Sequence, residues 1–193
     1  MVQLQQLTGM RPGEVCAMTP GDIDMSGDPW VYRPRHHKTA HHGHERRILV
    51  GLRGHAIPRC YLTGELTVPV FRPEQAHAER NAARRAAYVP KPGSADYRSM
   101  PSYQQRRALA KPVRFRDRWT PGAYGLAVRR AYEAAGVPHW SPNQLRHAAA
   151  TRVRKAGGLE VAQVVLGHKH ASVTKIYAEV DMKRAADLVQ RLG

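Results

Sequence analysis

A chain of 193 residues can bury one sizeable core, and this one carries a formal net charge of +16, with 31 Lys and Arg against 15 Asp and Glu. That imbalance exceeds what a soluble surface requires and points to a polyanionic partner. Nucleic acid fits better than membrane, because no segment joins the basic residues to a strong apolar face and no apolar run reaches bilayer-spanning length.

The first residues lack the charged start and apolar core of a secretory leader. The two unpatterned cysteines, Cys16 and Cys60, suit a reducing cytosol rather than a disulfide or metal framework. Residues 2–8 predict a short helix with Val2, Leu4 and Leu7 available for packing, and Gly9 ends it. Pro12 disfavours helix at Arg11 and then suits the start of a second helix running to Met18. Arg11 is thereby expected at a joint between helices, where a side chain can be aimed at a fixed point. An ordinary surface arginine is the plainer alternative.

Residues 30–35, WVYRPR, and 46–51, RRILVG, read as two strands of a β-hairpin. The polar connection HHKTAHHGHE contains Lys38 and the histidines His36, His37, His41, His42 and His44. The four-residue spacing of His37 and His41 brings two ligands together only on a helix, and no carboxylate or thiolate cluster accompanies them. Phosphate contact or plain exposure is the better reading, and no metal is assigned.

Residues 53–63 predict a short helix interrupted near Pro58. Residues 73–87, rich in Ala, Glu and Arg behind Pro73, read as an exposed basic helix. Residues 88–119 hold four prolines and little periodicity and read as a mobile loop. Twelve Lys or Arg stand against four acids in 72–118, so half of the net charge lies in a quarter of the chain. The expected use of this basic insertion is contact with a DNA backbone through Arg80, Arg84, Arg85, Arg106, Arg107 and Lys111, against the plainer reading of a solvated insertion.

The last 75 residues are helical in pattern. Thr120 and Pro121 open a helix that Gly136 closes, and Ser141 and Pro142 open the next, which Gly157-Gly158 end. Leu145, Ala149 and Val153 would form its buried stripe, leaving Arg146 free to face a substrate. His147 reads as a structural histidine. Residues 159–167 form a short apolar helix ending at Gly167, just before His168. A helix over 171–180 would carry Tyr177, for which a buried, hydrogen-bonded ring is the plainer role. Residues 182–192 space Ala185, Leu188, Val189 and Leu192 on one face, suiting a docking helix.

Two of these stretches resemble the catalytic boxes of tyrosine recombinases, the phage-integrase family. LTGMRPGEV at 7–15 is similar to the family's first-arginine box, and LRHAAATRVRKAGGLEVAQVVLGHKHASVTKIYAEV at 145–180 to its C-terminal boxes, in the family's order and spacing. The resemblance implies a mainly α fold with a small antiparallel β-sheet, a DNA breaking-rejoining catalytic domain. Residues 1–193 would be one partial catalytic domain, with 72–119 a basic insertion and the N-terminal DNA-clamping domain absent. It further implies site-specific recombination or integration through a 3′-phosphotyrosine intermediate. Tyr177 would be the nucleophile, Arg11 and Arg146 the grip on the scissile phosphate, and Lys38 the proton donor to the leaving 5′ oxygen. His168 would hydrogen-bond the phosphate, and Glu14 would support the site. Implied partners are double-stranded DNA and further copies of the chain, dimer to tetramer, with no cofactor, no metal and no membrane. The implied location is the cytoplasm, on the nucleoid.

Two departures stand out. Asn143 occupies the position where the family's box normally has histidine; its amide can donate to a phosphate oxygen but cannot shuttle a proton. Met1 falls almost at the first arginine, so the chain reads as a fragment, a mis-called start or a decaying element. A catalytically impaired, truncated DNA-binding remnant is therefore the competing reading, and a basic structural or RNA-binding module the third.

Overall fold

The computed structural model describes residues 1–35, 45–89, 100–167 and 185–193. Lys38, the five histidines of the polar connection, His168 and Tyr177 lie outside the described residues. In chain order the elements are α1 (Val2–Thr8), α2 (Pro12–Ala17), β1 (Ile23–Asp24), β2 (Trp30–Tyr32), β3 (Ile48–Val50), α3 (Leu52–Arg59), α4 (Pro73–Ala86), α5 (Pro101–Ala108), α6 (Pro121–Ala135) and α7 (Pro142–Leu166). Residues 185–192 are also helical. The architecture is mainly helical with one small antiparallel sheet, the α+β class expected. No described helix is long and apolar enough to cross a membrane. The chain divides into two compact units, Met1–Phe71 with Arg118–Gly193, and Arg72–Asp117.

In the first unit the sheet runs β1-β2-β3, with Ile23 opposite Tyr32 and Trp30 opposite Val50. The two expected strands pair as a hairpin would, but each is shorter than its apolar run. Pro34 has no N–H to continue β2, and the last ladder-like bond is Arg33 N to Asp22 O at 2.8 Å. β1 was not foreseen, because two residues carry no alternation to read.

All three residues of β3 are buried, since both faces of the strand are covered. Ile48 and Val50 face a core with Leu4, Val15, Met18, Tyr32 and Tyr124. Leu49 faces a second core with Val153, Val161, Val165 and Leu188. The period of two in a strand assigns successive residues to opposite sides.

α1 ties these layers together through a buried polar residue. Gln5 donates from Nε2 to Pro142 O at 2.9 Å and accepts from Tyr124 Oη at 3.0 Å, so α1, α6 and α7 share one amide. Gly9 ends α1 at φ 67°, and a Cβ there would lie 2.8 Å from Leu166 Cδ2. Gly9→Ala is accordingly predicted to destabilise the fold by roughly 2 kcal/mol or more, from a left-handed backbone and overpacking together. Urea denaturation checks this; an unchanged midpoint would refute the packing described.

α6 begins with Thr120 Oγ1 accepting from Ala123 N at 3.2 Å and ends at left-handed Gly136, as its sequence predicts. The two helices expected on either side of Gly157-Gly158 are both present within the span of α7, separated at Gly158, whose φ 84° and ψ 179° are non-helical. Residues 185–192 use their apolar stripe inside this chain: Ala185, Leu188 and Val189 are buried in the second core. Pro58 does not interrupt α3, which runs through it to Arg59. It sits in the last turn, where a lost N–H removes only one bond.

The second unit holds α4 and α5, neither of which buries a residue. α4 matches the exposed basic helix expected. α5 lies within 88–119, read from sequence as loop. Pro101 at its first position and the run Gln104-Gln105-Arg106-Arg107-Ala108 favour helix locally, a signal diluted by averaging across the surrounding prolines.

Candidate catalytic site

The site is built where α1 gives way to α2. The left-handed cap at Gly9 stops the first helix, and Pro12 at the first position of the second leaves Arg11 extended, at φ −73° and ψ 153°. Glu14, three residues on, closes a reciprocal cap. Arg11 N donates to Glu14 Oε2 at 2.6 Å, and Arg11 Nη1 donates to Oε1 at 2.9 Å. Tyr32 Oη donates to Glu14 O at 2.9 Å and anchors this turn to the sheet. Glu14 is thus a buried carboxylate with its side chain 3% exposed, whereas that of Arg11 is 25% exposed.

Arg46 reaches the same carboxylate from the start of β3. Its Nε lies 3.4 Å from Glu14 Oε1, and its Nη1 donates to Val165 O at 3.1 Å and Arg47 O at 3.2 Å. Its Nη2 is buried without a partner among the described residues. Reading the sequence for function missed Arg46. The signal was present: Arg46, Ile48 and Val50 alternate, so Arg46 belongs to the buried face of that strand and Arg47 to the exposed one.

Arg146 corrects an expectation. It is buried rather than free on the open side of its helix. The inward face of α7 runs Pro142, Arg146, Ala149, Val153, with Leu145 only half-buried. The guanidinium is held by backbone: Nη1 donates to Gly9 O at 2.7 Å and Nη2 to Leu166 O at 2.6 Å. Burial pushes its pKa down to about 10, and the charges of Arg11 and Arg46 push the same way, with Glu14 opposing. Burial likewise lowers Arg46. Arg11 and Arg46 pair with the Glu14 carboxylate, and Arg146 feels the charges of all three, an excess of positive charge that an anion would balance.

The last carbonyls of α7 are gripped from two sides, Val165 O by Arg46 and Leu166 O by Arg146. Gly167 follows at φ 61°, and a Cβ there would lie 2.5 Å from Arg46 Nη1. These anchored atoms precede His168 in sequence by two and three residues. Asn143 is exposed at the second position of α7, behind a capping box in which Gln144 Oε1 accepts from Ser141 N at 2.6 Å. His147 is exposed, not a packed structural histidine. Arg80, Arg84, Arg85, Arg106, Arg107 and Lys111 are exposed in the second unit. Of the predicted catalytic and supporting residues, the structure brings Arg11, Glu14 and Arg146 together. Both cysteines are free thiols; burial raises Cys16 to about 12, so it is a poor nucleophile.

Residues 104–184 match the family model described as "Phage integrase family". The match supports a tyrosine recombinase catalytic domain in this chain. A "Tyrosine recombinase XerC" of Corynebacterium glutamicum is 45% identical to this chain over 58 residues, 30% of the chain and 19% of the relative. One of Bifidobacterium longum subsp. infantis is 27% identical over 186 residues, 95% of the chain and 43% of the relative. A "Putative integrase/recombinase" of Sinorhizobium fredii is 35% identical over 95 residues, 46% of the chain and 23% of the relative. The chain spans less than half the length of these relatives. No solved structure matches it.

Proposed function

We propose that this domain cleaves and rejoins DNA in site-specific recombination or integration, through a phosphate site formed by Arg11, Arg46 and Arg146. The observation that carries the proposal is the cluster itself: Arg11 and Arg46 pair with one buried carboxylate, and Arg146, 135 residues from Arg11 in sequence, lies within reach of the charges of all three. Such an arrangement suits a phosphodiester whose transition state gains negative charge, because fixed guanidinium donors need no reorganisation when that charge develops.

In the proposed reaction the Tyr177 hydroxyl attacks phosphorus. The tyrosyl O–P bond forms, the P–O5′ bond breaks, the phenolic proton is lost, and Lys38 protonates the departing 5′ oxygen. His168 hydrogen-bonds the phosphate, and Glu14 orients Arg11. The tyrosine ester conserves the phosphodiester energy, so the 5′ hydroxyl rejoins the strand by the reverse attack. The substrate is double-stranded DNA, gripped also by the exposed arginines of the basic unit. Two or four copies act together on the DNA.

Asn143 favours a slower version of this chemistry, since an exposed amide supplies a hydrogen bond but no proton. The test is a nicked suicide duplex drawn from DNA flanking the coding sequence. A covalent protein–DNA band that disappears in Tyr177→Phe is expected; a band that persists in that variant would overturn the assignment of the nucleophile. Asn143→His is predicted to raise the cleavage rate roughly tenfold or more, the lower part of the range for a positioned acid-base group. An unchanged rate would remove Asn143 from the site. A band seen only in Asn143→His would make the native chain the impaired remnant.

A further inference from the structure

Arg152 has no part in the chemistry described above, yet it holds the helix that delivers Arg11. α1 is seven residues long, too short to be stable by itself, and carries no basic residue in its last turn. Its terminal carbonyls are satisfied from α7 instead. Arg152 Nη2 donates to Gln6 O at 2.6 Å and to Leu7 O at 3.4 Å. A cation at this end also opposes the negative pole of the helix. On α7, Arg152 lies two turns after Leu145; both are half-buried, on the flank of the inward face that carries Arg146, Ala149 and Val153.

From α1 to Arg11 the backbone is held atom by atom. Thr8 Oγ1 donates to Leu4 O at 2.8 Å and accepts from Met10 N at 3.4 Å. Gly9 N donates to Gln5 O at 2.8 Å, and Gly9 O accepts from Arg146. Arg11 N donates to Glu14. Thr8, Gly9 and Met10 are buried, so their bonds serve stability as well as position. Arg152 differs. Gln6 is exposed, as is the bond to its carbonyl, so water can replace the arginine there. Arg152 Nε is buried without a partner among the described residues, a cost that offsets much of what the two bonds contribute. The net effect of this side chain on stability is therefore small, and what it supplies is position.

We propose that Arg152 is a positioning residue for DNA cleavage: by tying the end of α1 to α7 it fixes Arg11 relative to Arg146. The inference rests on the reading that these two arginines grip the scissile phosphate. Gln5 holds Pro142 O, Gly9 O is held by Arg146, and Arg152 holds Gln6 O and Leu7 O, so α1 is tied to α7 at three of its residues. Without Arg152, α1 pivots about the other two, and Arg11 moves with the segment that follows it. A displacement of about 1 Å in a group that grips the reacting phosphate is enough to slow the reaction by a factor of up to roughly 100.

The test follows covalent attachment of the full chain to a nicked suicide duplex over a range of DNA concentrations, beside hydrogen exchange of backbone amides in the free protein. In Arg152→Ala the rate at saturating DNA is expected to fall about tenfold, with the half-saturating DNA concentration within about twofold and Tm within about 4 °C of native. The Met10 and Arg11 amides should exchange about tenfold faster, while the amides of β3 keep their native protection. Arg152→Lys keeps a cation at the end of α1 and is expected to recover most of the rate. Four results overturn the proposal: a native rate in Arg152→Ala; a half-saturating concentration that rises in step with the loss of rate, which would make Arg152 a DNA contact; faster exchange in β3 as well, which would make the loss one of global stability; or Arg152→Lys no faster than Arg152→Ala. A native chain that forms no covalent band overturns the cleavage reading instead. Exchange then decides for Arg152 alone, and unchanged Met10 and Arg11 amides in Arg152→Ala would show that it does not position the joint.

Discussion

Arg146→Lys is expected to slow covalent attachment to DNA by roughly 100-fold or more, although it keeps the charge. The arginine bridges Gly9 O, two residues before Arg11, and Leu166 O, two residues before His168. A lysine ammonium is a point donor on a flexible stem. It cannot hold both carbonyls in one plane, so one is left unsatisfied in a buried setting, at about 1–3 kcal/mol. Cleavage within a factor of about five of the native rate would show that the bridging geometry is dispensable.

The charge on Arg146 also bears on stability. Its folded-state pKa, pushed down to about 10, lies below the ordinary arginine value. The unfolded chain therefore holds this proton more tightly than the folded one. The charged guanidinium costs stability at all pH values below about 10, and the cost falls as pH rises from there towards the ordinary value. At neutral pH the remedy is an anion. Phosphate or DNA should raise the melting temperature of the native chain more than that of Arg146→Gln, by differential scanning fluorimetry.

Glu14→Gln should produce the largest loss of stability among single substitutions at the site. Glu14 Oε1 accepts from Arg11 at 2.9 Å and faces Arg46 Nε at 3.4 Å, and both Glu14 and Arg46 are nearly fully buried. Removing the carboxylate charge leaves the guanidinium groups of Arg11, Arg46 and Arg146 without their common counter-charge. Breaking a buried pair from one side costs about 3–5 kcal/mol, which in a chain of this length lowers Tm by roughly 10 °C. Arg46 would then be a cation with neither carboxylate nor solvent. Phosphate should recover part of the loss, because it supplies the missing negative charge. A Tm within about 2 °C of native would mean the arginines repel one another less than their burial implies.

Much of this was legible in the residues alone. Helix limits were written by local chemistry: Gly9 against Pro12 isolates Arg11, Thr120-Pro121 and Gly136 bracket α6, and Gly157-Gly158 mark the kink in α7. The excess of positive charge, its concentration in one insertion and the pairing of the two β-hairpin strands were equally open to reading, as was the resemblance of both boxes to one family. These features depend on neighbours a few residues apart or on simple sums.

Tertiary packing decided the rest. The spacing of Leu145, Ala149 and Val153 put Arg146 on the wrong side of its helix. An arginine's charge favours an outward place, whereas this one has two carbonyl partners, supplied by residues 137 and 20 positions away. Arg46 took its place opposite Glu14 from 32 residues further along. The stripe at 185–192, part of the segment that suits a docking helix, packs with Leu49, Val153 and Val161 of the same chain. In each case the polar or apolar partner that settles a side chain's direction is brought close only when the sheet and α7 close around α1, and no local pattern records that partner.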